Sequence, residues 1–209
     1  MYGCTPYWRE FLFWLLLVPA SAALSSGKLT RQLIGLIETC AFLLVAISSA
    51  GRLKSLGLEF IAWEKIPRSA ILSSSVVGFA AGLAILGIAR WSGQPIGIEP
   101  GWNIALLAII IGPVLEEIIF RGYLLTLALW LTMRMPRRLC STISITGVAV
   151  IFAVAHLGRG AVTLLQFGCI VATGCIYGSL RLQSHSTIGA LTAHAIYNCV
   201  LHLSYWCGI

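Results

Sequence analysis

The sequence feature that most constrains the fold is a group of charged residues inside a long apolar run. In the stretch 109–124, Glu116, Glu117 and Arg121 are surrounded by aliphatic and aromatic residues. A charged side chain at the centre of a bilayer costs roughly 2.5–3.5 kcal/mol on insertion scales, whereas each Leu, Ile or Phe contributes only about 0.3–0.6 kcal/mol. Charges that are kept at this cost indicate a functional site rather than an accident of packing.

Helical spacing separates the roles of these three residues. Glu117 and Arg121 are four residues apart, so they share one face of a helix and can pair. Glu116 points about 100° away from Glu117 and has no such partner on its own helix. It must therefore meet a group from another helix, and a carboxyl in a low-dielectric site is a candidate general base.

The composition predicts an all-α membrane protein. The chain has 209 residues, of which 58% are hydrophobic and 10% charged, with a mean hydropathy of +0.92. Only helices and closed barrels satisfy the backbone in lipid, and the apolar runs are too long and too continuous for barrel strands. We therefore expect a polytopic helical bundle of about seven transmembrane helices. Because the net charge of +7 comes from basic residues in the connecting segments, it indicates membrane topology and no nucleic-acid partner.

The apolar runs give the order of the bundle. The predicted spans are 11–24, 32–50, 69–89, 103–133, 140–157, 161–180 and 187–206, and the segment 51–67 is expected on the membrane surface. Residues 1–100 would form the N-terminal spans and residues 101–209 the catalytic helical core of one integrated membrane domain. The first run resembles a signal peptide, with Ala20-Ser21-Ala22 as a cleavage site, but a retained span is favoured. The fourth run exceeds one bilayer thickness, so a bend or break is expected at Gly112-Pro113 or at Gly122.

Two further patterns concern packing and orientation. Gly78 with Gly82 and Gly174 with Gly178 are pairs of small residues that would allow close approach of helices. Of the fourteen Lys and Arg residues, nine lie in loops predicted on the same side of the membrane as the N-terminus, four lie in loops on the opposite side, and Arg121 is within a span. The positive-inside rule then predicts a cytoplasmic N-terminus and an external C-terminus. The seven cysteines are expected to act mainly as small apolar residues.

Two other spans carry polar or aromatic pairs at helical spacing. Phe152 and His156 are four residues apart in the fifth span, and His194 and Asn198 are four apart in the seventh. One intramembrane histidine is often only a hydrogen-bonded packing residue. Together with Glu116, however, these pairs favour one convergent site. A carboxylate and an imidazole can activate water, and further imidazole and amide groups can face a developing oxyanion.

Other peptidase mechanisms fit the sequence less well. The chain contains no Asp, which excludes an aspartyl dyad. Ser and Thr are common, but none lies at a convincing spacing from a His, which disfavours a serine triad.

The polar motifs resemble those of the CPBP family, the intramembrane endopeptidases that include CAAX prenyl proteases and bacteriocin-processing enzymes. The residues that carry the resemblance are Glu116-Glu117-x-x-x-Arg121, Phe152-x-x-x-His156 and His194-x-x-x-Asn198. The resemblance extends over about residues 106–201. Within the family, the chain most resembles the small prokaryotic members. It implies an integral protein of a prokaryotic inner or plasma membrane.

The resemblance also implies roles for the individual residues. Glu116 and His156 would position and activate water, while His194 and Asn198 would form the oxyanion hole. Glu117, Arg121 and Phe152 would have supporting roles. The glutamate mechanism needs no cofactor, although Glu116, His156 and His194 could bind zinc, which is the alternative.

The leading hypothesis is an endopeptidase that cleaves a membrane-anchored protein or peptide near its C-terminal tail. A non-catalytic scaffold or immunity protein of the same fold is the alternative. A proton-coupled transporter would also use intramembrane Glu and His, but the chain is small and shows no internal repeat.

Overall fold

The structure is a computed structural model, and it describes residues 66–94, 105–157 and 162–208. These residues are helical with short connections, and no strand occurs among them, which agrees with the predicted fold class. The first two predicted spans and nearly all of the predicted surface segment lie outside the described residues. The division into 1–100 and 101–209 therefore stays a prediction.

The described residues form six α-helices and two π-helical segments. The α-helices are α1 (Arg68–Ser92), α2 (Gly112–Glu117), α3 (Leu125–Thr132), α4 (Arg137–Leu157), α5 (Leu164–Ser184) and α6 (Thr187–Trp206). The first π segment is Leu107–Ile111 and the second is Ile118–Leu124. The predicted spans from the third to the seventh therefore all correspond to helices.

The run that carries the charged residues is helical from residue 105 to residue 132, with α and π winding in alternation. Pro113 is the second residue of α2, and it removes one backbone N–H donor from this continuous helix. Gly122 lies within the second π segment. Helical winding continues through both positions where a bend or break was expected, and the irregularity takes the form of wide π turns. Such turns are uncommon and occur frequently at functional sites.

Local signals in the sequence fix the ends of several helices. Gly93 ends α1 with a positive φ of 65°, and its N–H donates to the carbonyl of Arg90. Thr163 and Gln166 form a reciprocal capping box at the start of α5. Ser186 caps α6 by accepting a hydrogen bond from the N–H of Ile188.

The chain divides into two compact units. In the described part of the first unit, residues 119–157 and 162–178, α3 packs on α4 and a hydrogen bond of 2.9 Å joins the hydroxyls of Thr132 and Ser144. A Cβ on Gly174 would lie 2.9 Å from the Ala149 side chain, and one on Gly178 would lie 3.0 Å from Ile145. The predicted small-residue pair therefore does bring α5 close to α4.

The described part of the second unit comprises residues 66–94, 105–118 and 179–208, and its main contact is between α1 and α6. A Cβ on Gly78 would overlap the backbone of Ala193, and one on Gly82 would lie 2.8 Å from the Val200 side chain. The small pair predicted in the third span is confirmed as the point where two helices approach closely. This packing holds α1 against α6 at Ala193, the residue that precedes His194.

Three of the described helices, namely α1, α4 and α5, are long and apolar enough to cross a membrane. Large apolar side chains on them stay exposed, including Leu72 and Phe79 on α1. An apolar outer surface of this kind suits lipid rather than water. The chain is therefore an integral membrane protein, while the predicted count of seven spans stays a prediction.

Candidate active site

Glu116 and Glu117 are the last two residues of α2, between the two π segments. Both are buried: the exposed fraction is 9% for Glu116 and 0% for Glu117. Two adjacent carboxyl groups in a helix normally point about 100° apart. Partners from another helix are therefore needed if both are to be satisfied away from water.

His194 on α6 meets both carboxyl groups. Its Nδ1 atom lies 2.8 Å from Oε1 of Glu117, and its Nε2 atom lies 3.8 Å from Oε2 of Glu116. The first distance is a hydrogen bond and the second is too long for one. The imidazole is itself buried, with 5% exposure. The described part of the second unit thus holds a Glu–Glu–His cluster, which offsets part of the cost of burying its members.

Asn198 lies one turn after His194 on the same face of α6. Its Nδ2 atom donates to the carbonyl of Ala108 at 2.6 Å. Ala108 belongs to the first π segment, so the amide connects α6 to the wide turn that precedes the two glutamates. A carboxamide nitrogen carries two N–H donors, and this bond uses one of them.

Arg121 belongs to the first unit and is almost fully buried, with 1% exposure. Its guanidinium carbon lies 4.3 Å from the ring centroid of Phe152 and 5.2 Å from that of Tyr177. Its Nη2 atom also donates to the carbonyl of Gly174 at 3.3 Å. Aromatic faces and a carbonyl therefore surround the charge, an arrangement that suits the planar guanidinium.

His156 and Phe152 form a second pair in the first unit. Nδ1 of His156 donates to the carbonyl of Phe152 at 2.8 Å, because a carbonyl can only accept. The two rings pack edge to face at 4.5 Å, and the other side of Phe152 meets Arg121. His156 is half-buried. The four-residue spacing that singled out this pair thus corresponds to a direct contact between its members.

The structure therefore groups the predicted site residues as follows. Glu116, Glu117, His194 and Asn198 come together in the second unit, and Arg121, Phe152 and His156 come together in the first. Sequence reasoning did not anticipate Tyr177 as a partner of Arg121 or the carbonyl of Ala108 as the acceptor for Asn198. Neither has a signal in the sequence, because a backbone carbonyl and one aromatic residue in an apolar helix are not distinctive.

Glu117 has a partner in His194 that the sequence did not indicate. Helical spacing suggested Arg121 as its partner, and that pairing stays a prediction, because Glu117 and Arg121 belong to different units. Glu116 was expected to meet a group from another helix, and Nε2 of His194 lies 3.8 Å from its carboxylate.

A metal centre was the alternative interpretation of the same residues. Within the ranges 66–94, 105–157 and 162–208, no group of three or more His, Cys, Asp or Glu side chains is arranged to hold a metal ion. Glu116 and His194 belong to the second unit and His156 to the first, so the zinc alternative stays a prediction.

Comparison with known families bears on the same part of the chain. Residues 98–200 match the family described as type II CAAX prenyl endopeptidase Rce1-like. Through these residues the chain belongs to the Rce1-like family. The resemblance inferred from the polar motifs over residues 106–201 is thereby confirmed, and the Rce1-like family is a family of proteases. No curated protein and no solved structure matches the chain.

Proposed function

We propose that this protein is an intramembrane endopeptidase that hydrolyses a peptide bond near the membrane-associated C-terminal tail of a partner protein. The observation that carries the proposal is the buried cluster of Glu116, Glu117 and His194 in a member of a protease family. A scaffold has no use for such polar groups in an apolar bundle, because each one lowers the free energy gained on insertion and packing.

Glu116 acts as the general base in the proposed reaction. A water molecule gives one proton to the Glu116 carboxylate while its oxygen bonds to the carbonyl carbon of the scissile peptide. The π electrons of the carbonyl move to its oxygen and form an oxyanion. When this intermediate collapses, the C–N bond breaks and the proton on Glu116 passes to the leaving nitrogen, which yields a carboxylic acid and an amine.

Asn198 stabilises the oxyanion through the amide N–H that does not bond Ala108. His156 enters the proposal through its sequence motif, as the imidazole that positions and activates the water together with Glu116. Its Nδ1 donates to the Phe152 carbonyl, so in the neutral ring Nε2 carries the lone pair that such a role requires. Arg121 and Phe152 support His156 by packing, since Phe152 contacts both.

The family description and the apolar surroundings of the site support the proposed substrate class. The family description names prenyl endopeptidases, and the site is built from buried residues of apolar helices. A substrate whose tail partitions into the membrane can present its peptide bond to such a site, whether a prenyl group or a hydrophobic peptide provides the anchor.

Substitutions of His194 and Glu116, with a matched histidine control, test the proposed function. His194→Asn and Glu116→Gln should lower kcat by about 10²–10⁴-fold, the range typical for loss of an acid–base group. His185→Asn is the control, because His185 is exposed and has a positive φ of 52°, a conformation that Asn tolerates well. Cleavage of a co-reconstituted tail-anchored candidate substrate is the measurement. Equal rates in wild type, Glu116→Gln and His194→Asn would favour the scaffold.

Metal dependence has a separate test. The proposed reaction uses a carboxylate and imidazoles, so prolonged treatment with a zinc chelator should leave the rate within about twofold of the untreated protein. A loss of activity that added zinc restores would instead support the zinc alternative.

A further inference from the structure

The turn between α3 and α4 carries positive charge that no carboxylate nearby in the chain balances. Arg134, Arg137 and Arg138 follow one another closely, and all three side chains are exposed. The sequence after Glu117 contains no Asp or Glu. Within the part of the chain that the structure describes, none of the three arginines forms an ion pair. Their charge can therefore act on an anion outside the protein.

Large apolar side chains are exposed at the same turn. Met133 is 60% exposed, Leu139 48% and Met135 41%. We call residues 131–139 the basic turn. A free phosphate ion could pair with the arginines but would leave these apolar side chains in water. A phospholipid offers both a phosphate, which matches the guanidinium fork, and acyl chains that cover apolar surface.

Hydrogen bonds join the two helices on either side of the basic turn. Oγ1 of Thr132 lies 2.9 Å from the hydroxyl oxygen of Ser144 and 3.1 Å from Sγ of Cys140. The N–H of Met135 donates to the carbonyl of Thr132 at 2.9 Å. The end of α3 is thus tied to the first two turns of α4. A turn held in this way loses little conformational entropy when a ligand binds to it.

The predicted topology places the basic turn on the cytoplasmic side of the membrane, the same side as the N-terminus. Anionic lipids give the cytoplasmic leaflet a negative surface potential that attracts basic segments next to membrane spans. The turn also lies at the opposite end of α4 from His156, roughly 27 Å away at 1.5 Å per residue. It is therefore a surface separate from the candidate active site.

We propose that the basic turn binds the headgroup of an anionic phospholipid, with the acyl chains of that lipid against the exposed apolar side chains of the turn. The bound lipid stabilises the pairing of α3 with α4 in the first unit. Because α4 also carries Phe152 and His156, lipid composition would act on the helix that holds them. The proposal does not depend on the endopeptidase function.

The first experiment measures lipid preference. The purified full chain in detergent is titrated with phosphatidylglycerol, or with phosphatidylcholine that has the same acyl chains, and bound lipid is counted by native mass spectrometry. Each basic residue near an anionic lipid surface contributes roughly a fivefold factor in affinity. We therefore expect wild type to bind phosphatidylglycerol at least about tenfold more tightly than phosphatidylcholine.

Two sets of variants locate that preference. Replacing all three arginines by Gln (Arg134→Gln, Arg137→Gln and Arg138→Gln together) should remove most of it, whereas replacing all three by Lys should keep it, because the charge remains. Arg90→Gln is the control for loss of an exposed charge elsewhere, since Arg90 lies at the end of α1 on the side predicted to be external. It should leave the preference unchanged. A triple Gln variant with the wild-type preference would overturn the proposal.

The second experiment measures stability in nanodiscs. Because a ligand that binds the folded state raises Tm, wild type should unfold about 2–5 °C higher in phosphatidylglycerol than in phosphatidylcholine. This difference should be absent from the triple Gln variant and present in the triple Lys variant. Equal Tm values for wild type in the two lipids would contradict the proposal.

Two further measurements use the wild type alone, so they still decide the question if the triple Gln variant does not fold. Raising NaCl from about 0.1 M to about 1 M should weaken phosphatidylglycerol binding, since salt screens exposed charges. A preference that salt does not change would argue against the arginines. Saturable binding of a poly-glutamate peptide, without any preference between the two lipids, would overturn the lipid site and assign the basic turn to an acidic protein partner.

Discussion

At the scale of single residues, an imidazole and aromatic rings are among the contacts of the buried charges. His194 bonds Glu117, and the Arg121 guanidinium lies against aromatic faces and a carbonyl. An ammonium group could replace the charge of Arg121 but not its flat shape, because it is a compact and strongly hydrated ion. The identity of the residue at position 121 is therefore set by packing as much as by charge.

Arg121→Lys should lower the stability of the protein by about 1–2 kcal/mol, since a desolvated cation–π contact contributes about that much. Such a loss should lower Tm by several degrees in a chain of this size. Arg137→Lys is the control, because Arg137 is exposed at the start of α4. Thermal unfolding of the purified proteins in one detergent is the measurement, and an equal Tm for both variants would show that the aromatic contacts contribute little.

At the residue scale, the sequence singled out Glu116, Glu117 and His194, which the structure buries, but it did not give the atoms that they contact. The polar positions were evident because charges and amides are rare in apolar runs. The contact of His194 with Glu117, and that of Asn198 with Ala108, depend on how α6 is rotated about its axis. Spacing along one helix defines a face, but it does not say which atom of another helix that face will meet.

At the scale of helices, small residues decide how closely the elements pack. Gly78 on α1 lies against the backbone of Ala193 on α6, while Gly87 on the same helix has open space where a Cβ would be. The glycines of α1 are therefore not equivalent, although nothing in their immediate sequence separates them. The first belongs to an interface that fixes the position of His194.

Gly78→Ala should destabilise the protein by about 1–3 kcal/mol, because a methyl group forced into a filled interface displaces backbone. Gly87→Ala should instead be neutral or stabilising by roughly 0.5–1 kcal/mol, the gain expected when Ala replaces Gly in a helix. Chemical or thermal unfolding of both variants checks the difference. A Gly78→Ala variant as stable as Gly87→Ala would mean that α1 and α6 are further apart at Gly78 and Ala193 than in the structure.

The helix boundaries were largely predictable and the winding was not. The seventh span was predicted at 187–206 and α6 is Thr187–Trp206, because Ser186 is a good cap and the apolar run has a clear end. The π segments at Leu107–Ile111 and Ile118–Leu124 had no comparable signal. A π turn differs from an α turn by one residue, and the Ala108 carbonyl in the first segment accepts a hydrogen bond from Asn198, a contact that the sequence does not show.

At the scale of the whole molecule, the distribution of basic residues predicts how the chain is oriented in the membrane. Nine of the fourteen Lys and Arg residues lie in loops predicted on the same side of the membrane as the N-terminus. This asymmetry favours a cytoplasmic N-terminus and an external C-terminus. Cys207 offers a chemical probe for the second of these, because it is a free and exposed thiol just after α6.

A membrane-impermeant maleimide should label Cys207 in intact cells, and Cys207→Ser should remove that labelling. Permeabilised cells provide the comparison, since they admit the reagent to both sides of the membrane. Labelling of the wild type that appears only after permeabilisation would place the C-terminus inside and reverse the predicted orientation.

The π segments on either side of α2 have a consequence for comparing sequences. Each wide turn accommodates about one residue more than an α turn over the same rise. Deleting a residue from the first segment would restore ordinary winding and rotate the preceding chain by about 100° relative to the glutamates, which would carry the Ala108 carbonyl away from Asn198. Two chains with the same polar motifs can therefore differ in helical phase, and aligned letters alone do not establish that their carboxylates face the same way.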